Sequence, residues 1–258
     1  MQLVDSHCHI HFRDYPEPEA AYQAALAAGV GQMICVGTSL EDSRVAVDFA
    51  AAHDGVWASV GAHPHDGADF NATPQAAQIL NKLSKLPRVV AIGEIGLDYY
   101  HQNSPQADQQ KSLRAQIRVG LDSRLPFIFH IREAFVDFWP IFDEYKISRG
   151  VVHSFSAGPK ELEQILSRGL YVGLNGIMTF TKDDQQLQAA ELVPLNKLLL
   201  ETDAPFLTPV PYRGQTCQPK HVLDTAKFLA DLRGEDLQDL AAATTANAAE
   251  LFNIEISK

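Results

Sequence analysis

The stretch Val89-Val90-Ala91-Ile92-Gly93-Glu94 decides the fold, because it is apolar or glycine at every position before it reaches a glutamate. A strand of this composition is buried on both faces, as in a parallel sheet covered by helices. Phe127-Ile128-Phe129-His130 repeats the arrangement, again with a polar residue at the end of the run. The two runs predict an α/β fold whose strands carry polar side chains at their carboxyl ends.

Eight strand candidates alternate with amphipathic helical patterns along the chain. They begin near Gln2, Met33, Val56, Val89, Phe127, Val151, Tyr171 and Leu198. Eight strands alternating with helices over 258 residues are typical of a (β/α)8 TIM barrel, and a doubly wound open sheet is the alternative. We predict a single domain over residues 1–258. Two closing patterns, over 219–232 and 236–251, predict a helix after the last strand and an additional C-terminal helix.

Several short signals predict where helices begin and which faces they bury. Thr73-Pro74, Ser104-Pro105 and Gly158-Pro159 each predict an N-cap followed by proline at the first helical position. Ser39 with Asp42 resembles a capping box. The four-residue spacing of Leu113, Ile117 and Leu121 predicts one buried helix face.

Composition excludes several classes of protein. Hydrophobic residues make up 46% of the chain and the formal net charge is −11, so we expect a folded protein without a broad basic surface. Local binding of a nucleic acid is still compatible with this net charge, because bound cations supply positive charge at the binding site. The three cysteines form no CxxC pair, and no apolar stretch approaches the ~20 residues that span a bilayer. We expect a soluble, cytoplasmic protein without a membrane partner.

Six residues that can bind a metal stand at or just past the ends of apolar runs. They are His7, His9, Glu94, His130, His153 and Asp203. In a barrel, the carboxyl ends of all strands meet at one mouth, so we expect these side chains to cluster. Imidazoles and carboxylates bind divalent cations, and bound cations can activate water. A lone histidine at a strand end is usually structural, but four of them at strand ends make that interpretation poor.

The spacing of these residues suggests their roles. His7 and His9 face the same way on a strand, whereas Cys8 faces the other way. Glu94 ends an apolar strand, where a buried carboxylate needs a partner or a cation. Asp203 is suited to ligate a metal and to orient or deprotonate the attacking water.

Two acidic neighbours and three candidate substrate contacts complete the set. Glu201 either holds a ligating histidine or fills the barrel interior, and Asp98 is either a hydrogen-bond acceptor for the site or a solvated loop acid. The predicted substrate contacts are His63, Arg132 and Arg213. Either arginine could hold a phosphate with its guanidinium fork, or form a surface ion pair.

Six motifs follow one another along the chain: Asp5-Ser6-His7-Cys8-His9, Gly61-Ala62-His63-Pro64, Gly93-Glu94-Ile95-Gly96-Leu97-Asp98-Tyr99, His130-Ile131-Arg132, His153-Ser154-Phe155-Ser156 and Glu201-Thr202-Asp203-Ala204-Pro205. In this order they resemble the motifs of the TatD-type metal-dependent hydrolases. The resemblance implies an amidohydrolase-like TIM barrel that holds up to two divalent metals. It implies that His7, His9, Glu94 and Asp203 hold one metal and that Glu94, His130 and His153 hold the other, with Glu94 as the bridge. Cys217-Gln218-Pro219 departs from the Asn-Glu-Pro step that is usual in the family, and Ala157 replaces a frequent glycine.

Similar family members are metal-dependent deoxyribonucleases, including 3′→5′ exonucleases on single-stranded DNA. The leading hypothesis is therefore phosphodiester hydrolysis by two divalent ions (Zn, Mg or Mn) about 3.5–4 Å apart, with Asp203 and Glu94 as catalytic residues and DNA bound locally at the mouth. An amidase, esterase or deacylase acting on a small or tRNA-linked substrate is the alternative. A non-enzymatic metal-binding or partner-binding protein is the third hypothesis. The sequence leaves the metal identity and the oligomeric state open.

Overall fold

The computed structural model describes residues 1–256. Within that range the strands are β1 (Leu3–Cys8), β2 (Val30–Val36), β3 (Val56–Val60), β4 (Val89–Asp98), β5 (Phe127–Arg132), β6 (Gly150–Val152), β7 (Tyr171–Leu174) and β8 (Leu198–Leu200). The helices are α1 (Pro18–Ala27), α2 (Leu40–Ala52), α3 (Gly67–Ala72), α4 (Ala76–Leu83), α5 (Gln106–Ser123), α6 (Phe135–Asp143), α7 (Pro159–Ser167), α8 (Asp184–Leu192), α9 (Val222–Arg233) and α10 (Leu237–Phe252).

The strand order in the sheet settles the fold class. All eight strands belong to one sheet, and their order follows the chain from β1 to β8. A doubly wound sheet requires the order to reverse at a switch point, so that alternative is wrong. Parallel strands in chain order with helices between them are the topology of a (β/α)8 barrel, as predicted.

The chain divides into two compact units, which we describe separately. The central unit is Cys35–His153, and the terminal unit joins Met1–Ile34 to the described residues from Ser154 onward. The assignment of residues 1–258 to a single domain stays a prediction. Within residues 1–256, no helix combines the length and apolar character needed to cross a membrane.

In the central unit, β4 pairs in parallel with β3 and β5, and β5 pairs with β6. Gly96 lies opposite His130 in the register of β4 and β5, with a φ of 154°. A Cβ at this position would overlap the carbonyl oxygen of His130. Only glycine therefore allows the close approach of the two strands that carry Glu94 and His130.

In the terminal unit, β1 and β8 lie side by side, and α10 packs against both. Cys8 forms a parallel bridge with Ala204, just beyond β8. Thr245 on α10 donates a hydrogen bond to the carbonyl oxygen of Gln2, before β1. Asn247 donates to the carbonyl oxygen of Leu198 in β8, which places the predicted C-terminal helix against both strands.

Two of the predicted helix starts are confirmed. Ser39 caps α2 by accepting a hydrogen bond from the backbone N–H of Asp42, and Gly158 precedes Pro159 at the start of α7. Asp42 does not complete a capping box on Ser39, because its carboxylate accepts the N–H of Thr38 instead.

Three local predictions are wrong. Thr73 does not begin a helix: its hydroxyl donates to the carbonyl oxygen of Asp69 and ends α3, and α4 begins only at Ala76. The hydroxyl of Ser104 accepts the N–H of Ala68 instead of capping α5, which begins at Gln106. Leu121 is 36% exposed. At that end of α5 the helix packs Gly120 against the ring of Phe127, which turns Leu121 outward.

Candidate metal centre

The terminal unit holds a cluster of His7, His9 and Asp203, here called the His7 cluster. The Nε2 atoms of His7 and His9 are 3.2 Å apart. The Oδ1 atom of Asp203 lies 3.5 Å from His7 Nε2 and 3.3 Å from His9 Nε2. Both imidazoles are buried, whereas the Asp203 side chain is 15% exposed. The pair of histidines therefore shares one side, as the strand periodicity predicts.

Backbone hydrogen bonds between the end of β1 and the segment that follows β8 hold this cluster in place. The N–H of Asp203 donates to the carbonyl oxygen of His7 at 2.8 Å, and the N–H of His9 donates to Ala204 at 2.6 Å. Cys8 points the other way, with its Sγ 3.5 Å from the carbonyl oxygen of Ile34. Cys8 therefore faces away from His7 and His9, as the strand period predicts.

The central unit holds a second cluster, here called the Glu94 cluster, in which imidazole nitrogens surround one carboxylate oxygen. Oε1 of Glu94 lies 2.7 Å from His130 Nδ1 and 2.7 Å from His153 Nε2, and 3.4 Å from His63 Nε2. Burial alone would raise the pKa of Glu94, but the surrounding imidazoles of His153, His63 and His130 outweigh it and hold that pKa well below its usual range. Glu94 is therefore an anion at neutral pH.

His63, predicted as a substrate contact, lies beside Glu94 in this cluster. Burial lowers the pKa of His63 to about 4, so its imidazole is neutral at neutral pH. A neutral imidazole is able to bind a cation or to accept a proton. Its Nδ1 accepts the backbone N–H of His65, which directs Nε2 toward Glu94.

Asp98 is buried and links several histidines, so the interpretation as a solvated loop acid is wrong. Its Oδ2 lies 2.9 Å from His101 Nδ1, 3.0 Å from His65 Nε2 and 3.1 Å from His130 Nε2. Burial alone would raise the pKa of Asp98, but the hydrogen bonds from His130, His65 and His101 outweigh it and hold that pKa below its usual range. Asp98 is an anionic acceptor that orients His130.

Sequence reasoning missed His65 and His101, which form a further donor group with Asp98. His65 was visible in the motif after His63-Pro64. His101 sits in the turn after β4 and carries no periodic signal of its own, because only the turn brings it back to Asp98.

The predicted arginines stack on aromatic rings instead of forming the surface ion pairs that were the alternative. The guanidinium of Arg132 lies 4.8 Å from the ring centroid of Tyr100, and that of Arg213 lies 3.8 Å from that of Phe180. Arg213 also donates to the carbonyl oxygen of Thr208, so part of its role is to shape its own loop. Whether either arginine contacts substrate stays a prediction.

Glu201 and Cys217 occupy structural positions in the terminal unit. Oε1 of Glu201 accepts the backbone N–H of Ser154 and lies 3.3 Å from Asn175 Nδ2. Cys217 is fully buried, and its carbonyl oxygen accepts the hydroxyl of Tyr15. Burial raises the pKa of the Cys217 thiol, so this thiol stays protonated at neutral pH.

The chemistry of both clusters fits divalent cations. The structure brings the six predicted ligands together in two groups of three, each with two imidazoles and one carboxylate. A tetrahedral zinc ion with Zn–N distances of about 2.0–2.1 Å sets its ligand nitrogens roughly 3.3 Å apart, close to the 3.2 Å between His7 and His9. Neutral imidazoles and ionised carboxylates are the protonation states that metal binding requires.

A (β/α)8 topology with such donor clusters defines a metal-dependent hydrolase of the TIM-barrel class. Residues 4–253 match the family model of the TatD-related DNases. The chain therefore belongs to the family of TatD-related DNases, as its motifs predicted.

Similar proteins agree with this assignment. The chain is 37% identical over 264 aligned positions to the uncharacterized metal-dependent hydrolase YcfH of Escherichia coli (strain K12), covering 100% of this chain and 98% of that one. It is 38% identical to the 3′-5′ ssDNA/RNA exonuclease TatD of Cronobacter sakazakii, over 88% of this chain and 89% of that one. The crystal structure of the TatD homologue YJJV from Escherichia coli K12 matches with a TM-score of 0.90 and 29% identity, over 98% of both chains.

Proposed function

We propose that this protein is a divalent-metal-dependent deoxyribonuclease that removes nucleotides from the 3′ end of single-stranded DNA. The observation that carries the proposal is the convergence of three imidazole nitrogens on one oxygen of Glu94. One of these imidazoles belongs to His130, which stands two residues before Arg132 on β5. Relatives that cover most of the chain are named 3′-5′ ssDNA/RNA exonucleases, which supports the substrate class.

Two divalent ions per chain are part of the proposal, with Zn²⁺, Mg²⁺ and Mn²⁺ as candidates. His7, His9 and Asp203 would hold one ion, and Glu94, His130 and His153 the other. The bridging role of Glu94 that the motifs imply stays a prediction. Bound cations of this kind polarise a scissile phosphate and favour the ionisation of a water molecule. A cytoplasmic location belongs to the same proposal and is supported by three buried cysteines that form no disulfide in the described part of the chain.

The chain's own residues would then have separate roles in hydrolysis. Asp203 is the one predicted ligand carboxylate that is partly open to solvent, at 15% exposure against 4% for Glu94, so it can orient the attacking water and accept its proton. Glu94 stays ionised and holds His130 and His153 in place. His63, Arg132 and Arg213 would position the phosphate, the arginines through their planar donor forks.

The test is cleavage of single-stranded DNA labelled at its 3′ end, with Mg²⁺ or Mn²⁺ and with excess EDTA as the metal-free arm. A 3′→5′ exonuclease releases the 3′ label at the first turnover, whereas a 5′ label stays on a shrinking ladder. Glu94→Ala should abolish this activity, and Glu163→Ala on the exposed face of α7 should leave it unchanged.

Other outcomes would point elsewhere. DNA cleavage that survives Glu94→Ala comes from a contaminant and removes the support for the nuclease. Turnover of ester or amide substrates by the metal-loaded protein, without DNA cleavage, would favour the amidase, esterase or deacylase alternative. Metal binding without turnover of any substrate would favour a binding protein.

A further inference from the structure

Arg132 and Tyr100 form a stacked pair at the carboxyl ends of β5 and β4. The guanidinium lies over the tyrosine ring at 4.8 Å, and the ring of His101 stands nearly perpendicular to it at 4.8 Å. Tyr100 is nevertheless 56% exposed. The pair therefore presents an aromatic surface and a cation together at the surface of the central unit.

The pair is held rigidly by the backbone. Oδ1 of Asp98 accepts the N–H groups of Tyr100 and His101 at 3.0 and 2.9 Å, which closes a tight turn directly after β4. The N–H of Tyr99 donates to the carbonyl oxygen of Arg132 at 2.9 Å. Asp98 and Arg132 lie opposite each other in the strand register. These bonds fix the backbone of the turn that carries Tyr100, so less conformational freedom is lost when a ligand binds to the ring.

Arg132 has no anionic partner in the described part of the chain. The stack on Tyr100 is the only interaction of its guanidinium there, although the protein carries a net charge of −11. An arginine that is stacked but not paired keeps its donor fork available for an oxyanion.

Arg132 also lies on the same strand as His130 of the Glu94 cluster. His130 and Arg132 are two residues apart on β5, so both face the same side of the sheet, about 6–7 Å apart along the strand. A phosphate paired with Arg132 would therefore lie on the same side of the sheet as one held at the Glu94 cluster.

We propose that Tyr100 and Arg132 form a nucleobase-binding subsite, in which one base of the substrate stacks on Tyr100 while an adjoining phosphate pairs with Arg132. This proposal rests on the proposed nuclease function and adds the requirement for one unpaired base at a fixed distance from the cleaved bond. Stacking on an aromatic ring accepts any base, because every base has a π-face, but it requires a base that is not already stacked in a duplex.

The test is an abasic scan. Single-stranded DNA substrates carry one abasic nucleotide at successive positions from the 3′ end, and KM and kcat are measured for the first cleavage with Mn²⁺. For the wild-type protein, one position should raise KM about tenfold, which corresponds to about 1.4 kcal/mol, with little change in kcat. Tyr100→Leu should raise KM for the intact substrate by the same factor and should show no further loss at that position.

Matched variants make the result specific. Tyr100→Phe and Tyr100→Trp keep a ring and should retain the wild-type dependence on position. Val136→Ala, which removes an exposed apolar side chain on α6, should behave as the wild type. Thermal unfolding of each variant checks that it is folded.

The outcomes separate the two proposals. Wild-type protein that cleaves the DNA but shows a flat abasic scan would overturn the subsite alone. The same holds if Tyr100→Leu keeps the dependence on position. Metal-loaded wild-type protein that cleaves no nucleic acid would overturn the nuclease function, and the subsite with it.

Discussion

Asp98 and His130 are joined by a hydrogen bond of 3.1 Å between Oδ2 and Nε2, while the other ring nitrogen of His130 lies 2.7 Å from Glu94. The two contacts define the orientation of the ring. With a cation bound in the Glu94 cluster, Nε2 would donate its proton to Asp98 and Nδ1 would offer its lone pair to the ion. A carboxylate behind a ligating histidine fixes its tautomer and raises its basicity.

Asp98→Asn should therefore weaken metal binding while keeping the shape of the site. The amide cannot act as an anionic acceptor for His130, and the expected loss is about 10–100-fold in affinity. Competition for Zn²⁺ or Mn²⁺ against a chromophoric chelator measures it. Asp48→Asn, at an exposed carboxylate on α2, is the control and should bind metal as the wild type does. Equal affinities for the two variants would contradict the role assigned to Asp98.

Removing the metal should lower thermal stability. A ligand that binds only the folded protein at about 100 times its dissociation constant stabilises that state by about 2.7 kcal/mol. For a chain of this size the corresponding fall in Tm on adding EDTA is about 5–10 °C. Differential scanning fluorimetry with and without Mn²⁺ measures it, and an unchanged Tm at saturating metal would argue against the ligand clusters.

Gln109→Ala should destabilise the fold that supports Asp98. Gln109 is fully buried, accepts the N–H of Asp98, and donates to the carbonyl oxygens of Asp98 and Ser104. Its loss leaves buried backbone groups without partners, at a cost of about 1–3 kcal/mol for each group. Urea unfolding should show a loss of at least about 2 kcal/mol. Gln185→Ala, at an exposed position on α8, should stay within about 0.5 kcal/mol of the wild type.

Arg132→Ala should change the salt dependence of DNA binding. Each phosphate neutralised on a single strand contributes about 0.7 to the slope of log K against log salt. Losing one phosphate contact should therefore reduce that slope by about 0.7, whereas Arg132→Lys should keep most of it. Fluorescence anisotropy of a labelled oligonucleotide over a range of NaCl concentrations measures the slope. The same slope for wild type and Arg132→Ala would exclude a phosphate contact by this residue.

The native protein should resist thiol reagents. Cys8, Cys35 and Cys217 are all buried, and burial raises the pKa of the Cys217 thiol, so this group stays protonated and unreactive well above neutral pH. Labelling with Ellman's reagent at pH 8 should detect fewer than one thiol in the folded protein and three after denaturation. Rapid labelling of native protein that Cys217→Ser removes would show instead that this loop opens.

The strands and the donor residues were predictable because both follow local rules. An apolar run that ends in His, Glu or Asp marks a buried parallel strand and its polar end, and all six predicted ligands occupy such positions. The period of two along β1 was enough to separate His7 and His9 from Cys8, since it depends only on strand geometry.

What the sequence did not reveal depends on contacts between distant segments. From the sequence, Asp98 was either a hydrogen-bond acceptor for the site or a solvated loop acid. The structure decides between them, because β4 continues through Asp98 and the turn beyond brings His101 back to it. The threonine of Thr73-Pro74 caps the end of one helix instead of the start of the next, and the local pattern does not distinguish the two. The stack of Arg132 on Tyr100 joins residues from different strand ends, so no spacing within either motif signals it.

The hydrogen bond from the N–H of Asp203 to His7 has a consequence for the order of events during synthesis. The Glu94 cluster has all its members once His153 has left the ribosome. The His7 cluster waits for Asp203, fifty residues later, although its two histidines precede every member of the Glu94 cluster. A nascent chain must therefore carry both imidazoles without Asp203 until after the Glu94 cluster is complete, and the His7 cluster gains its carboxylate only then.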